Sequence, residues 1–199
     1  SNMIMQIEDR WDFASPMDSP LGFGWHSPWF ARAGDGSYLD GEGNYYAFTK
    51  DSAGNYLPHA VSGLILKKTS TGYEVSQRGG STALFNSNGK LASLRDRRSG
   101  TITLQYDADW NLSSVQDITG RTVLTFGYSG NHITSVTDVS GRVVNYKYDQ
   151  HWNLTKATLT LPGAEPVFLN TYEYDLNEYE QPKGSCYYGT RSGMICEND

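Results

Sequence analysis

Charge is in short supply. Charged residues make up 19% of the chain, against ~25% in an average domain. Acids outnumber bases, 22 to 16, for a formal net charge of −6. That balance leaves no broad basic face for nucleic acid. Long apolar runs are missing too. The longest lies near Leu64 to Leu66, far below the ~18 residues that suggest a membrane span. No stretch carries the 3.6-residue periodicity of an amphipathic helix. Cysteine is nearly absent: Cys186 and Cys196 have no histidine nearby, which argues against a zinc centre. A disulfide between them would close a small loop in an oxidising compartment. Two reduced thiols fit equally well, because sequence does not fix pairing. No signal peptide is evident, and Ser1-Asn2-Met3 reads as an expression remnant set aside from fold reasoning.

Glycine and aromatic residues are abundant. The 199 residues include 21 Gly, 14 Tyr, 7 Phe and 5 Trp. A chain of that length is one domain of ordinary size or two very small ones, and it can bury a core without metals or many disulfides. Its composition suits short strands joined by tight turns.

A repeat organises the second half. Leu91-Ala-Ser-Leu94, Leu112-Ser-Ser-Val115, Ile133-Thr-Ser-Val136 and Leu154-Thr-Lys-Ala157 start at a constant spacing of 21. Asp96, Asp117 and Asp138 follow in step, then Gly100, Gly120 and Gly141 mark turns. An alternating run then ends in Tyr106, Tyr128 or Tyr148, and a second turn closes the unit. The expected unit is two antiparallel strands and two turns, with the three tyrosines on one face and largely buried. Asp would bind turn amides and Gly would supply a positive φ. A metal-ligand role for the aspartates is the weaker reading, since turn chemistry alone explains them. Leu-x-x-Val is awkward, because residues i and i+3 of a flat strand face opposite sides. Either a bulge sits there or both faces are covered. Strands are expected before position 91 as well, around Tyr38, Tyr45 to Thr49, Leu64 to Lys68, Tyr73 to Ser76 and Thr82 to Phe85. The fold class is all-β: an antiparallel strip of stacked hairpins with no significant helix.

Tyr106-Asp107 and Tyr148-Asp149, the Asn-Leu that follows each turn, and the Gly-Arg pairs Gly120-Arg121 and Gly141-Arg142 resemble the Tyr-Asp repeats of the Rhs/YD-repeat family. Pro20-Leu21-Gly22-Phe23-Gly24-Trp25-His26-Ser27, and Asp40-Gly41-Glu42-Gly43-Asn44 followed by Phe48, resemble the leader that precedes such arrays. The resemblance covers about residues 20 to 175. It divides the chain into a leader, 4–90, repeats, 91–175, and an unassigned tail, 176–199, holding the two cysteines. It implies a β-shell segment of a large secreted or cell-surface protein, a class that includes polymorphic toxins, toxin-complex subunits, wall-associated proteins and teneurins. In toxins that shell encloses a toxic domain; in teneurins it supports adhesion. The chain departs from the pattern at Ser129, at Leu159, and at Pro162-Gly163-Ala164-Glu165-Pro166. The family's self-cleaving core region is not recognisable.

No catalytic, cofactor or metal constellation stands out. His26, His59, His132 and His151 lack a nucleophile at a motif spacing and read as surface or turn histidines. Gly79-Gly80 lacks the features of a phosphate loop. Asn111 and Asn153 head glycosylation sequons, yet occupy the same turn position of the repeat, which accounts for them. The tryptophans read mainly as packing residues. Trp110 and Trp152, at turns, are the candidates for stacking on sugars. The expected role is therefore a non-enzymatic scaffold module, and the alternative is a carbohydrate-binding or adhesion module. The implied partners are neighbouring repeats of the parent protein, a second copy through open sheet edges, or, on the alternative, glycans.

Overall fold

A computed structural model of the chain describes residues 18–23, 25–98, 100–172, 185–189 and 193–197. Every regular element among them is a strand, apart from a three-residue 3-10 turn at Pro28–Phe30. The strands are β1 (Asp18–Ser19), β2 (Gly22–Phe23), β3 (Arg32–Gly34), β4 (Ser37–Leu39), β5 (Tyr45–Ala47), β6 (Ile65–Lys68), β7 (Gly72–Ser76), β8 (Thr82–Asn86) and β9 (Leu91–Asp96). They continue with β10 (Gly100–Tyr106), β11 (Leu112–Gln116), β12 (Thr122–Ser129), β13 (His132–Asp138), β14 (Val143–Tyr148), β15 (Leu154–Thr160), β16 (Val167–Thr171), β17 (Ser185–Gly189) and β18 (Gly193–Glu197).

β6 to β16 form one 11-stranded sheet in strict sequence order. Each strand neighbours the next, so the sheet is a meander of hairpins. The sheet runs through position 90: β8 pairs with β9. β3, β4 and β5 form a separate sheet, as do β1 with β2 and β17 with β18. By contact density the chain divides into two compact units, Pro28–Thr125 and Ser1–Ser27 with Phe126–Asp199.

The Leu-x-x-Val element has a definite solution. Phe85 pairs with Leu91 and Leu84 with Ser93, so Ala92 is skipped. Tyr106 pairs with Leu112 and Gln105 with Ser114, skipping Ser113. Tyr148 pairs with Leu154 and Lys147 with Lys156, skipping Thr155. In these three units a bulge thus sits at the second position of the motif. It turns the first leucine onto the face of the residue three later. Leu112 and Val115 are both buried, as are Leu154 and Ala157. The bulged hydroxyls are used: Ser113 Oγ donates to Gln105 O at 3.1 Å, and Thr155 Oγ1 to Lys147 O at 3.1 Å.

The turns share one construction. At 40–44, 51–55, 86–90, 107–111, 117–121, 138–142 and 149–153, the N–H of the fourth residue donates to the first carbonyl, and the N–H of the first to the fifth carbonyl. The first residue is Asp or Asn, and its Oδ1 accepts from the amides two and four residues on, as Asp107 does from Asp109 and Asn111, both at 2.9 Å. The fourth residue has positive φ, 82° at both Gly120 and Gly141. This is a type I turn closed by a left-handed residue, the common three-residue hairpin loop. Two loops place tryptophan there instead: Trp110 at φ 61° and Trp152 at φ 64°.

Tyr106, Tyr128 and Tyr148 are half-buried rather than largely buried. They end their strands beside a turn, where the rings of Tyr106 and Tyr148 span toward a neighbouring strand's carbonyl instead of entering the core. His132 also departs from the surface placement expected of it. It is 6% exposed, because it begins β13 beneath the ring of Trp152. The core's largest fully buried side chain is Trp25 of the leader, packed edge-on against Tyr172 at 4.9 Å. Ser1-Asn2-Met3 lies outside the described residues. So do the Cys186 and Cys196 side chains, although the backbone register sets Cys186 opposite Cys196.

Candidate functional site

The repeat chemistry concentrates at strand ends. Tyr106 Oη donates to Leu91 O at 2.6 Å, and Tyr148 Oη donates to Ile133 O at 2.5 Å. Two hydroxyls in corresponding places therefore tie alternate strand starts to the tyrosine strand. The aspartates act as turn staples. Asp117 Oδ1 accepts from Thr119 and Arg121 amides, and Asp138 Oδ1 from Ser140 and Arg142 amides. The Gly-Arg arginines fold back onto the same acids: Arg121 Nε lies 3.3 Å from Asp117 and Arg142 Nε 2.6 Å from Asp138. The Ser140 hydroxyl, then the Arg142 guanidinium and amides, bring the Asp138 carboxyl down to about 2. The Thr119 hydroxyl, with the same amides, holds Asp117 below its usual range. Asp96 Oδ1 accepts from Arg98 N at 2.7 Å, and Gly100 has φ 84°. Asp149 fixes Asn153, whose Nδ2 donates to Oδ2 at 2.9 Å. Asn153 is fully buried, so its amide nitrogen is withheld from glycosylation in the folded chain.

Trp110 and Trp152, the sugar-stacking candidates, sit in corresponding loops with different surroundings. Trp152 is 38% exposed and lies flat on His132, 4.3 Å between centroids at 7°. Tyr148 flanks both rings. Trp110 is 46% exposed and lies 6.3 Å from Tyr106, tilted. In place of His132 it has Lys90, whose Nζ donates to Trp110 O at 2.6 Å and stands 5.7 Å over the Tyr106 ring. Burial lowers the Lys90 ammonium to about 8, with a further push from Arg32. Burial raises the Tyr106 hydroxyl to about 12.

Each corner also receives a leader segment. Beside Lys90, Arg32 pairs with Lys90 in an isolated antiparallel bridge, and Ala33 N donates to Gly89 O at 3.1 Å. Beside His132, Ile133 N donates to Pro20 O at 2.6 Å, and Gly22 packs so tightly that an added Cβ would fall 2.5 Å from Trp152 O. Sequence reading singled out neither Arg32 nor Lys90. The signal available was the 42-residue step from Lys90 to His132, twice the period of 21, which exchanges a cation for an aromatic at one repeat position.

A cleft of about 260 Å³ lined by Tyr38, Asp40, Tyr46, Ser62 and Gln77, among others, falls short of the ~300–1,000 Å³ of small-molecule sites. Among the described residues no group of three or more His, Cys, Asp or Glu side chains is placed to hold a metal ion, and no helix is long and apolar enough to cross a membrane.

No family model matches the chain, and no curated protein matches it. Among solved structures it is similar to the crystal structure of TcdB2-TccC3-Cdc42, with 12% identity and a TM-score of 0.40. The crystal structure of TcdB2-TccC3-TEV matches with 12% identity and a TM-score of 0.39. Each match covers 80% of this chain and 10% of the other, so the chain spans about a tenth of the length of these proteins.

Proposed function

We infer that the chain is a non-enzymatic scaffold module of the YD-repeat type, a segment of the β-wall of a large secreted or cell-surface protein. The observation that carries this reading is the sheet's end. β16 is the last strand of the 11-stranded meander, and its Val167, Phe168 and Leu169 are all exposed. An apolar end strand is a template for further pairing. The turns, bulges and tyrosine bonds are spent on extending the sheet rather than on converging polar groups in a pocket. In this reading β16 meets the next repeat, and in isolated protein it meets another copy.

Light scattering over a range of concentrations tests this. The chain self-associates, Phe168→Lys reduces association, and removal of 176–199 increases it. A chain that stays monomeric at high concentration with and without that tail would sink the scaffold reading. So would turnover of a glycosidic, ester or peptide substrate that is lost on changing one carboxylate. A carbohydrate-binding or adhesion module is the second reading, favoured by the part-exposed rings of Trp110 and Trp152. Glycan-array binding abolished by Trp110→Ala and Trp152→Ala would establish it.

A further inference from the structure

Arg32 and Lys90 face each other across an antiparallel bridge. Directly opposed residues hold their Cβ atoms ~4.5–5.5 Å apart, and like charges placed so are destabilising. Both side chains are half-buried, and burial disfavours the charged form of each. Among the described residues neither forms an ion pair, while the exposed Lys50, Arg121 and Arg142 do. Lys90 spends one proton on Trp110 O and leans over the Tyr106 ring, and Arg32 has no side-chain hydrogen bond among the described residues. The acid nearest in effect, Asp107, acts on Lys90 only through space, its Oδ1 being engaged by its own loop. Two partly desolvated cations side by side, in a chain of net charge −6, are an unbalanced arrangement, since buried charge is normally paired. A guanidinium presents two parallel N–H groups that match a carboxylate or sulfate, and an ammonium beside it adds a point charge.

We propose that Arg32 and Lys90 form a binding site for an oxyanion, a carboxylate or sulfate group, carried by a ligand whose flat ring lies against the part-exposed face of Trp110. The loop at 107–111 supplies the ring and Lys90 the link to it, because its ammonium is hydrogen-bonded to the tryptophan's own carbonyl. The site belongs to one corner only. At the corresponding place His132 lies flat on Trp152 and Pro20 offers a carbonyl, and no pair of opposed cations stands there among the described residues. The proposal is independent of the scaffold reading: a wall segment with or without this site would self-associate alike.

The test is nuclear magnetic resonance of the full chain, titrated with sodium acetate, sodium sulfate or sodium benzoate at constant ionic strength held with chloride. The side-chain N–H signals of Arg32 and Trp110 should shift saturably with all three, most tightly with benzoate. Arg32→Gln should weaken binding about tenfold, the loss of one charge-assisted contact. His132→Gln should leave it unchanged. In chloride buffer without oxyanion Arg32→Gln should melt no lower than the parent, since it removes a repulsion, and benzoate should raise the melting temperature of the parent more than that of the variant. Shifts that grow linearly without saturating, saturate at the parent's concentration in Arg32→Gln, or are equal for acetate and benzoate would overturn the proposal. An Arg32→Gln chain that melts well below the parent in the same chloride buffer would overturn it too, by showing that the arginine is structural.

Discussion

The corner at Lys90, Tyr106 and Trp110 and the corner at His132, Tyr148 and Trp152 are the same construction solved twice. Both use a tyrosine hydroxyl on a strand-start carbonyl and a tryptophan at the left-handed position of its loop. They differ in what fills the space beneath the tryptophan. A stacked imidazole makes the second corner a closed aromatic packet, braced by Gly22 and Pro20. A lysine opposed by an arginine leaves the first corner charged and more open. Backbone chemistry is therefore preserved from repeat to repeat, while the side chain beneath the tryptophan is free to vary the surface.

The largest expected effect lies in the packed corner. Gly22→Ala should destabilise by about 3 kcal/mol, because φ is +94° and the new Cβ would meet Trp152 O in a core that cannot shift freely. Denaturant unfolding measures this, and a change below about 1 kcal/mol would mean that the leader is not seated there.

Removing the hydroxyls tests whether the two corners bear equal weight. Tyr148→Phe and Tyr106→Phe each leave a part-buried carbonyl short of a donor, at about 1–2 kcal/mol. Tyr148→Phe should cost more, since its hydroxyl also approaches Pro20 O at 3.4 Å. The reverse order would contradict the stronger packing assigned to the second corner.

The tryptophans should separate in sign. Glycine at either position removes left-handed strain of about 1 kcal/mol. Trp110→Gly should be near neutral in thermal melting. Trp152→Gly should be destabilising, because its ring is stacked on His132. Equal effects would show that the aromatic packet adds nothing.

The smallest effect is in pH dependence. Lys90 in the folded chain titrates near 8, below its unfolded value of 10.5. The folded chain thus binds fewer protons than the unfolded chain between these values, and this lysine makes stability rise with pH across that window. Lys90→Met should flatten the rise. Asp138 acts at the other extreme. Its folded value of about 2 lies below the ordinary carboxylate value, so its contribution is present above about pH 4 and lost as pH falls toward 2. Asp138→Asn should remove that acid-side loss.

Much of the fold was legible in the residues. A spacing of 21 with alternating apolar runs dictates two strands per unit, because a strand has period two and each unit alone is too short to bury its face. The turn at 117–121 could be read from Asp117 and Gly120, since an Asx carboxylate and a left-handed glycine are local requirements. The tight turn between Tyr38 and Tyr45 is legible in the same way, whereas the loop at 51–55 has no repeat to align it with, although Asp-x-x-Gly-Asn stands there in plain sequence. The Leu-x-x-Val motif posed its problem locally but did not answer it. Whether a bulge or two covered faces resolves it depends on the partner strand's register, which no single strand contains.

Local chemistry along the chain sets the turns, the strand count per repeat and the antiparallel order, since each follows from contacts between residues close along the chain. Long-range packing sets where the leader docks, that Arg32 meets Lys90, that Gly22 touches Trp152, and that Tyr106 and Tyr148 reach back to Leu91 and Ile133. Those contacts join distant residues, and nothing in local propensity or periodicity distinguishes an arginine that will face a lysine from one that will face water.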